Sequence, residues 1–108
     1  MKSNKPFSGD IAMLILKLLE NEDMYGYQMI EELSRRSNNV FELKAGTLYP
    51  LLHSMEQEGL LTSTEKNVSE KRKRNYYHIT KNGLKLLQEK KSEWLGYSYA
   101  IKQVLQWG

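Results

Sequence analysis

The chain has 108 residues, 40% of them hydrophobic and 27% charged, which is one small globular domain's worth and too apolar for a disordered tail. It has no cysteine, which excludes disulfides, thiolate catalysis and cysteine zinc sites, and no apolar run approaches the ~20 residues of a membrane span. The net charge of +3 is unevenly spread: residues 1–65 carry six basic and ten acidic side chains, residues 66–74 five basic and one acidic, and residues 81–108 five basic and two acidic, an asymmetry that points to a polyanion partner.

Ile11, Leu14, Ile15, Leu18 and Leu19 recur at helical spacing, predicting a first helix over about 10–20, with Ser8 or Asp10 as its cap and Asn21 just past its end. The residues before it do not resemble a secretory signal, so a cytoplasmic location is expected. Gly26, Met29, Ile30 and Leu33 share one face of a second helix over about 25–37. A glycine on an apolar helix face costs about 1 kcal/mol relative to alanine, so close approach by a neighbour is its expected reason. Phe41-Glu42-Leu43 alternates as a short strand or an extended linker would. Leu48, Leu51, Leu52 and Met55 mark a third helix over about 46–58, stopped by Gly59. Pro50 falls in its expected first turn, where backbone N–H groups have no helical partner.

Leu60–Lys66 and Arg74–Ile79 flank a polar stretch and predict a β-hairpin whose long loop carries the positive charge. Thr80 then caps a last helix over about 81–107. Leu84, Leu87, Trp94, Ser98, Ile101 and Leu105 form one stripe along it, with Gly96 a place where it can bend. At 1.5 Å per residue it spans roughly 40 Å, longer than a domain this size needs for its own packing.

Three helices, a hairpin and a long helix make a mainly α fold with a small β-hairpin: a winged helix-turn-helix over residues 1–80 and a dimerisation helix over 81–108. In that arrangement the third helix enters a DNA major groove and the basic hairpin lies beside the phosphates. The third helix suits the role. Gly46, Pro50, His53 and Gln57 lie opposite its buried face, and from Lys44 to Ser54 there is no acid. A helix that points its N-terminus at phosphates favours that polarity.

The segments Tyr25-Gly26-Tyr27, GTLYPLLHSMEQEGLL from Gly46 to Leu61 and KRKRNYYHITKNG from Lys71 to Gly83 together resemble the signature of the PadR family of bacterial transcriptional regulators. The likeness covers most of residues 10–95 and fits the small subclass with a short C-terminal helix. Tyr25 departs from it, standing where a histidine is common. The resemblance implies a homodimeric repressor of an inverted-repeat operator, released by a small molecule. Carried over position by position, it implies DNA contacts from Lys44, Gly46, Thr47, Tyr49 and His53 on the third helix. Tyr25 and Tyr27 would approach phosphates, and Lys71, Arg72, Lys73 and Arg74 would form the wing. Leu87, Trp94, Ile101, Val104 and Leu105 would build the dimer seam, and Trp94 would stack a planar or aromatic effector, with Met13 or Leu14 walling the site.

No cofactor, metal site or enzymatic role is expected. His53 and His78 are the sole histidines, and no nucleophile–histidine–acid set or phosphate loop is visible. The competing reading is a winged helix that binds protein or RNA, since fold alone does not fix function. A basic wing together with an acid-free third-helix front weighs against it.

Overall fold

The computed structural model describes residues 6–107. Its elements are α1 (Pro6–Leu18), β1 (Met24–Tyr25), α2 (Gly26–Arg36), α3 (Ala45–Gln57), β2 (Leu61–Ser69), β3 (Arg72–Ile79) and α4 (Lys81–Gln106). The expected winged helix-turn-helix with a long trailing helix is the fold observed. No helix among the described residues is long and apolar enough to cross a membrane.

The sequence reading missed one element and misjudged several ends. α1 is described from Pro6, so Ser8 and Asp10, expected as caps, fall inside the helix. β1 has two residues, too few to show any alternation; it pairs antiparallel with β3, Met24 opposite Tyr77 and Tyr25 opposite Tyr76. Phe41–Leu43 is irregular linker, held by Phe41 and Leu43 packing on the core. The hairpin also differs from expectation. β2 and β3 pair from Leu61↔Ile79 to Ser69↔Arg72, so the connection is the two residues Glu70-Lys71. The register shifts at Asn67/Ser69, where Val68 is accommodated as a bulge. Consequently Arg72, Lys73 and Arg74 stand on a strand, with alternating sides fixed by the pleat, and only Lys71 lies in the turn.

The core forms where the last turns of α1, the inner faces of α2 and α3, the sheet and the first turns of α4 meet. Ile15, Leu16, Leu48, Leu52 and Leu87 are fully enclosed there. Leu51 and Leu60 are only partly buried and sit at its edge. α3 ends in a Schellman motif: the Gly59 N–H donates to the Glu56 carbonyl at 3.0 Å and the Leu60 N–H to the Met55 carbonyl at 2.9 Å, with Gly59 at φ +79°. Thr80 locks the next junction. Its hydroxyl donates to the Gly59 carbonyl at 2.7 Å and accepts from the Gly83 N–H at 3.0 Å. At Gly83 a β-carbon would stand 2.7 Å from the Ile79 side chain and closer still to the Leu60 carbonyl, so only glycine lets α4 start this near the sheet.

Beyond its first turns α4 leaves the core. The described molecule measures 63 × 28 × 27 Å, and the projecting half of α4 gives it that length.

Candidate nucleic-acid interface

Three short elements bring the predicted DNA contacts together. Tyr25 ends β1 and is the N-cap residue of α2, Tyr27 is the second residue of that helix, and Tyr49 stands on α3. With Gly26, Arg72, Lys73, Arg74 and Asn75 they line one cleft of about 430 Å³ between the helices and the wing. Gly26 shapes its floor. A β-carbon there would overlap the Tyr49 ring, 2.8 Å from Cε1 and nearer still to the hydroxyl end. The close neighbour expected of Gly26 is therefore this tyrosine. Burial first, and the Tyr27 phenol second, push the Tyr49 hydroxyl above the ordinary tyrosine range. At neutral pH it is an O–H donor suited to a phosphate oxygen.

The outer face of the sheet carries a ladder of aromatic and cationic groups. The Arg74 guanidinium lies 4.1 Å from the centroid of the Tyr25 ring. Tyr25 meets Tyr76 edge-to-face at 5.4 Å, and Lys66 Nζ sits 4.8 Å above the Tyr76 ring. Such contacts contribute about 0.5–1 kcal/mol each where exposed. They tie both wing strands to the start of α2. Arg74, read from the sequence as a wing contact like its neighbours, is here a half-buried group spent largely on Tyr25. Tyr76 and Tyr77 divide as adjacent strand residues must: Tyr77 is buried and Tyr76 faces outward. Lys66 and Asn75 were missed. Knowing the register would have found them, because Lys66 pairs with Arg74 and Glu65 with Asn75.

Lys44, Gly46, Thr47 and His53 lie outside the cleft on the exposed front of α3. Lys44 is its N-cap residue, and its carbonyl accepts from the Leu48 N–H at 2.9 Å. Because α3 starts at Ala45, Pro50 is its sixth residue and belongs to the second turn, which corrects the first-turn placement. Lys71 is exposed in the wing turn. Among the described residues no group of three His, Asp or Glu side chains is arranged to hold a metal.

The stripe on α4 splits in two. Leu87 is 0% exposed: it is packed inside the protomer and has no surface to offer a partner, which removes it from the expected seam. Trp94, Ile101, Val104 and Leu105 are 46%, 41%, 74% and 78% exposed, joined by Leu95, Tyr97, Tyr99 and Trp107. Trp94 also borders an apolar groove of about 250 Å³ between α1 and α4, with Met13, Leu14 and Leu95 as walls, the buried Leu87 behind them and Lys17 and Lys91 at hand.

A three-helix unit with a basic wing and a projecting helix defines the winged-helix class of transcriptional regulators. Residues 15–89 match the Transcriptional regulator PadR-like family, and the chain belongs to that family. It is 35% identical over 79 residues to Transcriptional regulator Rv3488 of Mycobacterium tuberculosis, covering 73% of this chain and 70% of that one. Its fold is similar to that of a PadR-like transcriptional regulator from Bacillus cereus, with TM-score 0.80, 35% identity and coverage of 94% and 96% of the two chains. It is also similar to a PadR family transcriptional regulator from Eggerthella lenta, with TM-score 0.82, 32% identity and coverage of 94% and 86%.

Proposed function

We propose that the protein is a homodimeric repressor that binds an inverted-repeat operator, with residues 1–80 as the DNA-binding part and 81–108 as the dimerisation helix. The observation that carries this reading is the convergence of Tyr25, Tyr27 and Tyr49 with Arg72 and Lys73 around one cleft beside the acid-free front of α3. Hydroxyl donors and cations suit phosphates, whereas Thr47 and His53 on the exposed front suit base edges. Two-fold symmetry would set the two copies of α3 about 34–36 Å apart and half-sites about 10 bp apart. Footprinting on the DNA upstream of its own gene tests this. Two related protected half-sites support the reading, and a single asymmetric site overturns it. Thr47→Ala should weaken specific binding more than non-specific binding, whereas Tyr49→Ala, which removes a phosphate-facing hydroxyl, should weaken both.

For release, the groove at Trp94 supports a small planar aromatic effector. Its walls are apolar, and indole stacking contributes about 0.5–1.5 kcal/mol beyond area burial. Lys17 and Lys91 at that groove weigh for a neutral or anionic aromatic over a cation.

A further inference from the structure

Pro50 interrupts the hydrogen-bond ladder of α3 at one point, and that point is the most outward strip of the helix. In an α-helix each carbonyl accepts from the N–H four residues on. The carbonyl of Lys44 does so, from Leu48. The carbonyl of Gly46 has no such donor, because residue 50 is proline. The proline ring also crowds the carbonyl four residues back and tilts it away from the axis. Leu48, Leu52 and Met55 bury the opposite side, so Gly46, Pro50 and His53 face out together, and all three are exposed. Gly46 has no side chain, and apart from its chain neighbours and its own helix backbone nothing lies within 4 Å of where its β-carbon would be. Gly46 and Pro50 are both exposed, so a partner surface can approach the Gly46 carbonyl from the solvent side of the helix, beside the proline ring.

A glycine followed four residues later by proline is costly in a helix that needs neither. Each lowers helix stability, glycine by about 1 kcal/mol and proline by about 3 kcal/mol relative to alanine. Packing explains neither residue, because both point away from the core. What the pair provides is a carbonyl without its usual helical donor on the solvent-facing side of α3.

We propose that the Gly46 carbonyl is a backbone reader of base identity, accepting a hydrogen bond from the exocyclic amino group of cytosine or adenine in the major groove. Those two bases alone present an amino donor there; guanine and thymine present acceptors at the corresponding edge and would leave the carbonyl facing another acceptor. This inference rests on α3 entering a major groove, as proposed above. It adds a specificity determinant that side-chain inspection does not find, since neither Gly46 nor Pro50 has a polar side chain.

The test is Pro50→Ala. Alanine returns the missing N–H, which occupies the Gly46 carbonyl from inside the helix. The variant should be more stable to heat than the parent and should still bind DNA. Parent and variant are each selected against a randomised duplex library. The parent should enrich cytosine or adenine at one position per half-site, and the variant should lose that preference while keeping the others. At that position the amino group is then deleted, with purine in place of adenine or pyrimidin-2-one in place of cytosine. An unpaired acceptor at a closed interface should cost the parent about tenfold in affinity. The variant should lose less than about twofold for the same base change, its carbonyl being already paired. Equal losses in both proteins, or a variant with the parent's full base preference, overturn the inference and leave operator binding standing. If the parent enriches no sequence at all, the operator reading itself fails, and this inference with it.

Discussion

The projecting half of α4 gives the sharpest test of assembly. Trp94, Leu95, Tyr97, Ile101, Val104 and Leu105 are each between two-fifths and four-fifths exposed. Covering what they expose is equivalent to burying roughly three to four apolar side chains per protomer, or about 5–11 kcal/mol at 1.5–3 kcal/mol per side chain. Two protomers double that, against an association cost of about 4–15 kcal/mol. The gain exceeds the cost over most of these ranges, which favours a dimer if the two projecting helices meet. Ile101→Asp sends a carboxylate into that seam twice, because a two-fold interface repeats every change. At about 3 kcal/mol or more per unpaired buried charge, the pair raises the dimer Kd by roughly 10⁴-fold. Sedimentation velocity at micromolar protein should show the parent as a dimer and the variant as a monomer. Circular dichroism should show the core still folded, since Ile101 lies outside it. Leu87→Ala provides the contrast. Leu87 belongs to the protomer core, so its truncation should cost about 2–5 kcal/mol of folding stability. A folded, dimeric Ile101→Asp protein with the parent's Kd would refute the seam.

Arg72→Ala with Lys73→Ala should flatten the dependence of log affinity on log salt by about 2 per protomer, one for each phosphate no longer neutralised. Arg74→Gln should lower affinity with a smaller change in slope, because that guanidinium is spent on Tyr25; an equal change in slope would make Arg74 a direct phosphate ligand. Thr80→Ala removes both the Gly83 cap and the bond to the Gly59 carbonyl, a loss of about 1–2 kcal/mol that should lower the melting temperature by roughly 4–12 °C. Calorimetry showing no shift would deny the junction its role. In a Trp107→Phe background, the fluorescence of Trp94 should be quenched saturably by anilinonaphthalene sulfonate and less by ethidium. Trp94→Ala should abolish the quenching and keep the dimer; a variant that falls apart while no dye quenches the parent makes Trp94 a packing residue only.

Much of this architecture was legible because burial imposes periodicity. Met29 and Leu33, Leu48, Leu52 and Met55, and Leu87 all fall at helical spacing because each faces one core. Gly59 and Thr80 were legible as stop and start because positive φ and an unpaired N–H each demand a particular residue type. What escaped was non-local. β1 exists because Met24 and Tyr25 pair with Tyr77 and Tyr76, some fifty positions away, and no local pattern encodes that. The tight wing turn escaped because Asn67–Lys71 is polar nearly throughout, and polarity does not distinguish a loop from a solvent-exposed hairpin end. Of the candidate interface, charge and residue type gave the members, and strand register gave their division of labour. Arg72 and Arg74 are alike in sequence, yet only Arg74 has a tyrosine ring beneath it. The apolar stripe of α4 likewise could not show where the core ends, so Leu87 and Ile101 looked equivalent.

On the proposed reading, α1 decides how the effector groove and the DNA-facing side communicate. Met13 and Leu14 line the groove, while Ile15 and Leu16, the next residues of the helix, are fully buried beneath it. The base of α4 has little freedom: Gly83 is wedged against Ile79 and the Leu60 carbonyl, with Leu16 Cδ2 3.3 Å from its β-carbon position. On that reading, a molecule too large for the groove beside Trp94 would tilt α4 about this fixed base rather than slide it. The 26 residues of α4 form a lever of about 39 Å, so a tilt of about 5° displaces its far end by roughly 3 Å. In a dimer joined along the projecting halves, the same tilt changes the spacing of the two copies of α3, and half-sites one duplex turn apart tolerate little change in that spacing. On the proposed reading, a small rotation at Trp94 would be sufficient to couple the two sites without any rearrangement of the cleft around Tyr25 and Tyr49.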